Sequence, residues 1–115
     1  MVRTALLAGV LAAALLGAAP AFAQSSQDGT VLQVRVRATD GLVYVYINGP
    51  RTGGVPGCAT DTFFSVSNES SVAGRQQLAV LTMAQAAGKR VTIYGTGACA
   101  RWPSAEDIAE VVVWD

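Results

Sequence analysis

The chain has no histidine in its 115 residues. Ser-His-Asp and Cys-His catalysis are therefore closed to it, and so are metal sites built on imidazole. Basic residues are not in surplus, since eight Lys and Arg stand against eight Asp and Glu. A nucleic-acid surface needs a positive excess, and binding to an anionic membrane surface draws on the same charge. Neither partner is expected. Cysteine is limited to Cys58 and Cys99, and aromatic residues make up only 7% of the chain, so several aromatics on one face would be informative.

Long apolar runs are confined to the start. Arg3 precedes an almost unbroken stretch of Ala, Leu, Val and Gly over residues 5–19. Pro20 breaks the run, and Ala21-Phe22-Ala23 has the small-x-small form of a cleavage site. The run is short for a membrane span, which takes about 20 apolar residues. The expectation is a secretory signal, removed after Ala23, and a single mature domain over residues 24–115 in the periplasm or outside the cell. No later segment is long and apolar enough to insert the mature chain into a membrane. Loss of Arg3 leaves a net charge of about −1.

Export places both cysteines in an oxidising compartment, and one disulfide between Cys58 and Cys99 is the first expectation. Closing a loop of about 40 residues is worth roughly 4 kcal/mol in the chain-entropy model. Two thiols without histidine make a poor metal site. No metal and no cofactor is expected.

Residues 30–39 alternate, with Leu32, Val34, Val36 and Ala38 on one face and Gln33, Arg35 and Arg37 on the other. Asp40-Gly41 signals a two-residue hairpin turn, and residues 42–47 return. That register pairs Ala38 with Val43, Val36 with Val45 and Val34 with Ile47, and sets Arg37 opposite Tyr44 and Arg35 opposite Tyr46. Residues 24–29 read as a frayed start, and residues 48–57 as a turn-rich loop. A third strand is expected over 61–66, centred on Phe63, Phe64 and Val66. A helix follows over 72–87, capped by Ser70 or Ser71 and by Gly88. Its core face is expected to hold Val80, Met83, Ala84 and Ala87. Residues 91–94 and 108–114 read as strands, with Trp114 as packing, joined by a loop carrying Cys99 and Trp102.

Strand, strand, strand, helix, strand, strand is the element order of a small five-stranded OB-like Greek-key barrel. An open antiparallel sheet with one packed helix, an α+β arrangement, has the same order. The motifs add more. Cys58 precedes the third strand; Ala86-Ala87-Gly88-Lys89 ends the helix; a strand follows, then Gly95-Thr96-Gly97-Ala98-Cys99 and Trp102. This pattern resembles a group of small exported bacterial proteins of unknown function. More distantly, the element order is similar to that of the B subunit of subtilase cytotoxin, an OB-fold pentamer that binds cell-surface sialylated glycans. That likeness implies a homo-oligomer and a glycan ligand, and it carries no sugar-contacting residue across.

Glu106 and Asp107 are adjacent, so their side chains diverge, and nothing in the spacing brings Asp61 to Glu110. These four read as solvated carboxylates rather than a glycosidase pair, and the chain as a non-enzyme. Gly95-Thr96-Gly97 lacks the helix and Gly-Lys-Ser continuation of a phosphate loop, and reads as a tight turn. Arg35, Arg37, Tyr44 and Tyr46 share one face of the first hairpin. They form either a solvated face or a binding patch, since Arg and Tyr are enriched at contact hot spots. Arg101 and Trp102 lie in the loop that forms a ligand rim in OB barrels, although Trp102 would equally serve to cover the disulfide. The functional expectation is a non-catalytic binding module for a glycan or a protein surface. A periplasmic enzyme inhibitor presenting residues 48–57, or a structural envelope protein without a discrete ligand, is the alternative.

Overall fold

A computed structural model describes residues 24–115; the expected signal segment lies outside the described residues. Seven elements follow one another: β1 Ser25–Val36, β2 Val43–Asn48, β3 Arg51–Gly53, β4 Phe64–Ser65, α1 Val72–Ala87, β5 Arg90–Gly95 and β6 Glu106–Val113. The sheet order is β2-β4-β6-β5-β1-β3, and β1 also pairs with β2. That extra pairing closes β1, β2, β4, β6 and β5 into a five-stranded barrel. All its pairings are antiparallel except β4 with β6. The mixed closed barrel, with its helix between the third and fourth barrel strands, is OB-like.

The core is made by inward positions of every barrel strand. Val31, Val43, Val45, Ile47, Phe64, Val66, Val91, Ile93 and Ile108 are buried together with Leu81 and Ala84 of the helix. Ser71 caps α1 through its Oγ, which accepts from the Gly74 amide, and Gly88 ends it in the left-handed conformation that glycine adopts without strain. The helix packs on β1 and β6. Its inward stripe is Gly74, Leu78, Leu81 and Ala84, whereas Met83, expected in the core, is 49% exposed and Ala87 is exposed. In a helix this rich in alanine the apolar face is weakly marked. The packing direction is set by Leu78 and Leu81, and by Gly74, where a Cβ would overlap the Asn68 carbonyl.

Four strand readings are corrected. Residues 25–30 are not frayed; they form the first half of β1 and pair with β3 and β5. The hairpin register is two residues from the expected one, with Arg35 opposite Tyr44 and Val36 opposite Val43. The turn is longer than Asp40-Gly41: Arg37 and Leu42 close it through a backbone bond of 2.9 Å, and only Gly41 has positive φ. Asp40 organises this longer turn, its carboxylate accepting from the Leu42 amide and from Arg37. A shift of two preserves the faces, so Arg35, Arg37, Tyr44 and Tyr46 stay on one side. A bulge between Val31 and Gln33 turns Leu32 outward, 55% exposed, and Val36 is 63% exposed at the strand end. The expected third strand shrinks to Phe64–Ser65. Finally, the 48–57 loop contains β3, which pairs with Ser25, Ser26 and Gln27 of β1.

Cys58 and Cys99 are disulfide-bonded, which is consistent with an oxidising extracellular compartment. No helix among the described residues is long and apolar enough to cross a membrane.

Candidate functional site

The outward side of β1 and β2 carries an aromatic platform. Tyr44 and Tyr46 alternate with the buried Val43, Val45 and Ile47, so both rings point out of the barrel. Their centroids are 6.1 Å apart, edge to face. Phe63 joins them at 4.8 Å from Tyr44 and 5.6 Å from Tyr46. The sequence reading centred a strand on Phe63, Phe64 and Val66. In the structure Phe63 precedes the inward Phe64 and therefore packs on the tyrosines, an alternation already visible in Phe63-Phe64. The Arg35 guanidinium lies 5.8 Å from the Tyr44 ring and 5.6 Å from the Tyr46 ring, donating to the Tyr44 hydroxyl and to Gln33. The hydrogen bond to Tyr44 raises its pKa.

A second group lies at the turn end of the same hairpin. Arg37 stacks on Trp102 at 4.6 Å and is held by both oxygens of Asp40. Arg101 makes a two-pronged bond to Glu69, at 2.9 and 3.0 Å, and donates to the Asp40 carbonyl. Trp102 is therefore stacked by Arg37 and follows Arg101 in the chain, and each of these two guanidinium groups has its fork fixed by a carboxylate. The six side chains singled out from sequence, Arg35, Arg37, Tyr44, Tyr46, Arg101 and Trp102, form these two neighbouring groups. The partner carboxylates Asp40 and Glu69 were not singled out. The cations hold both acids below the usual carboxylate range: Arg37 for Asp40, helped by the Leu42 amide, and Arg101 for Glu69.

Asp107 aligns the loop that carries Arg101 and Trp102. It is buried and accepts from the amides of Ala100 and Arg101 and from the Ser65 hydroxyl. Beside it Glu106 is fully buried. It accepts from the Ser25 amide and hydroxyl, from Arg51 and from the Gly97 amide. The reading of Glu106 and Asp107 as solvated is overturned. The two side chains do diverge, but each enters a nest of donors that the sheet and the 96–105 loop bring together. The Gly95-Thr96-Gly97 segment belongs to that nest. Gly97 has φ 87° and its amide faces Glu106, while a Cβ on Gly95 would overlap the Glu106 carboxylate. A motif reminiscent of phosphate binding thus cradles an anion of the chain itself. The other two acids are held apart from this nest: Asp61 accepts from the Ser104 hydroxyl, and Glu110 lies opposite Tyr94. Trp114, expected as packing, is 43% exposed; its indole donates to Thr92 and Arg90 stacks on it.

A cleft of about 650 Å³, lined in part by Asp28, Asn48, Lys89 and Arg90, contains none of the platform side chains. The platform instead lies on the outer side of β1 and β2 beside the start of β4, and on the loops from β1 to β2 and from β5 to β6; counted along the barrel, these are the second and third strands and the loops after the first and fourth, where OB barrels bind their ligands.

Acidification tests the clamp around Trp102. Carboxylates with lowered folded-state pKa contribute stability above their unfolded pKa and lose it as pH falls through the folded value. The Trp102 indole signal in NMR should therefore hold steady from neutral pH down to about pH 4, the ordinary carboxylate range, and move only below it. A transition centred above that range would exclude Asp40 and Glu69 as its cause.

The fold and this surface define a class: a disulfide-bonded OB-like barrel with an aromatic and guanidinium face. No protein-family model, curated protein or solved structure matches the chain.

Proposed function

We propose that this protein is an exported, non-catalytic binding module that takes a glycan on the outer face of the first hairpin. The supporting observation is that Tyr44, Tyr46 and Phe63 cluster on the outer face of the same hairpin whose turn end carries Arg37 stacked on Trp102. A sugar ring presents a C–H face that stacks on aromatic carbon, and hydroxyls that can accept from the guanidinium nitrogens Nη1 of Arg37 and Arg101, which make no bond among the described residues while Nε and Nη2 are held by Asp40 and Glu69. Guanidinium groups already held in place bind with less loss of side-chain entropy. Export rests on the leader-like residues 1–23, cleaved after Ala23, and fits a disulfide-bonded domain in the periplasm or outside the cell. The non-catalytic reading rests on Glu106 and Asp107, whose oxygens are engaged by internal donors. The likeness in element order to a glycan-binding toxin subunit points the same way.

A glycan array with residues 24–115 tests the proposal, run beside Tyr44→Ala and Trp102→Ala. Removal of a central aromatic should cost about 1–2 kcal/mol, roughly tenfold in Kd. Absence of binding by the unaltered chain, or equal binding by all three proteins, would sink it.

A further inference from the structure

One edge of β6 is open. Along its second half β5 pairs with one side, from Glu110 to Val113. On the other side β4 reaches only Glu106 and Asp107, and the Ser67 hydroxyl donates to the Ile108 carbonyl. Backbone groups in an antiparallel ladder alternate in direction. The Trp114 amide donates to the Arg90 carbonyl at 2.8 Å. Glu110, Val112 and Trp114 therefore direct their N–H and C=O groups at β5, and Val111 and Val113 direct theirs away from it. Among the described residues no hydrogen bond reaches those outward groups. Sheet edges in natural proteins are guarded by charge, proline or bulges. Val111-Val112-Val113 has no charge and no proline, and all three residues are only half-buried.

The helix α1 packs along this part of β6. A groove of about 250 Å³ separates their surfaces, and its lining includes Ala73, Gln76, Val80, Glu110 and Val111. Spacings of three and four continue that flank of the helix through Met83 and Ala87. The flank carries no charge, and Met83 on it is 49% exposed. Interfaces are depleted of charge at their centre, and those between like chains are the more apolar.

We infer that the open edge of β6 pairs with the same edge of a second copy of this chain, forming a two-fold dimer with the two α1 flanks beside the joined strands. Unpaired N–H and C=O groups in a row are matched by another extended backbone, and this row matches itself. A two-fold axis at Val112 sets Val111 opposite Val113 of the second copy. Both residues direct their backbone groups into the gap, so each such pair exchanges N–H···O bonds in both directions. Side chains agree with that register. Glu110 is exposed and in no ion pair among the described residues. It falls opposite Trp114 of the second copy, on whose ring Arg90 stacks at 4.8 Å. That guanidinium is 54% exposed beside Asp28, so the Glu110 carboxylate approaches a cation, and the axis repeats the match on the other side. Sliding the pairing by two residues parts Glu110 from the ring. The interface shares no residue with the hairpin platform and stands whether or not that face binds a glycan.

Light scattering of residues 24–115 should give twice the chain mass at millimolar concentration and approach the single-chain mass on dilution. Amide exchange locates the contact. Val111 and Val113 should be protected in concentrated solution and lose protection on dilution, while Val112 and Trp114, bonded to β5, stay protected in both. Val113→Pro removes an N–H that faces the gap, a position where a strand tolerates proline, and should weaken the dimer at least tenfold. Met83→Glu should weaken it severalfold without touching the sheet, and Glu110→Arg should weaken it more than Glu110→Gln. Thermal unfolding at low concentration checks that each variant is folded. Single-chain mass at millimolar concentration would leave the edge to a strand of another protein and overturn the proposal. So would a mass of three or more copies, exchange at Val111 and Val113 that ignores concentration, or an unweakened dimer in folded Val113→Pro.

Discussion

Glu106→Ala lowers the unfolding free energy by about 3–5 kcal/mol, the cost of removing one partner from a buried ion pair. Urea denaturation of residues 24–115 measures it directly. The carboxylate is fully buried and its partner Arg51 has only 12% of its side chain exposed. Arg51 also lies 4.1 Å from the centre of the Phe64 ring. Removing the carboxylate therefore leaves a largely buried cation without its counter-charge. It also orphans the Ser25 amide and hydroxyl and the Gly97 amide, which all donate to Glu106. These donors come from β1, from β3 by way of Arg51, and from the loop after β5. The variant should loosen three segments together, with amide exchange rising at Ser25, Arg51 and Gly97. Glu106→Gln keeps the shape and one acceptor and should lose less. A loss below about 1 kcal/mol in Glu106→Ala would show that the pair only breaks even with its desolvation cost and that its neighbours relax around the gap.

Replacing both cysteines by serine costs a comparable amount. The bonded residues are 41 apart in sequence, and a loop of that length gives roughly 4 kcal/mol in the chain-entropy model. For a domain of this size that corresponds to a fall in Tm on the order of 20 °C, readable by calorimetry. The effect is not only on the unfolded chain. Cys99 lies two residues before Arg101, in the segment that Asp107 holds through the Ala100 and Arg101 amides. Freeing Cys99 releases one end of the rim that carries Trp102, and leaves Asp107 and the Arg101–Glu69 pair to hold it. The indole signal of Trp102 should broaden in the double variant while that of Trp114, at 2.9 Å from Thr92 Oγ1, stays sharp. A drop of only a few degrees would mean that the unfolded chain already brings these loops together.

Different parts of this architecture were legible to different degrees. The helix was read with its ends because caps are local: Ser71 and Gly88 act on their own turns. The hairpin was found, yet its register was two residues off. Asp40-Gly41 has the composition of a tight turn, but the Asp40 carboxylate bonds to Arg37 and Leu42 instead and spans a longer one. The first half of β1 was missed because it is polar. Ser25 and Gln27 point inward and are satisfied by Glu106 and by the carbonyls of Ile47 and Gly49. Hydrophobic alternation cannot reveal an inward residue that pays its desolvation with hydrogen bonds.

The candidate surface shows the same division. Arg35, Tyr44 and Tyr46 were placed on one face by period alone, and an even register error does not move a residue to the other face. The meeting of the two tyrosines with Phe63, and the union of Arg37 with Trp102, depend on contacts across 17 or more positions of sequence that no local pattern encodes. Glu106 and Asp107 were misread for a related reason. Two adjacent carboxylates at a strand start look solvated until the 96–105 loop folds over them.

By itself, the sequence determined a mainly β chain with one helix before its last two strands, the absence of histidine chemistry, the helix ends, and which residues share a strand face. These follow from composition and from interactions a few residues long. Barrel closure, the disulfide's place in it and the buried ion pair were decided only in three dimensions. Each depends on long-range pairing that brings a donor, an acceptor or a packing surface to a site that local sequence cannot specify.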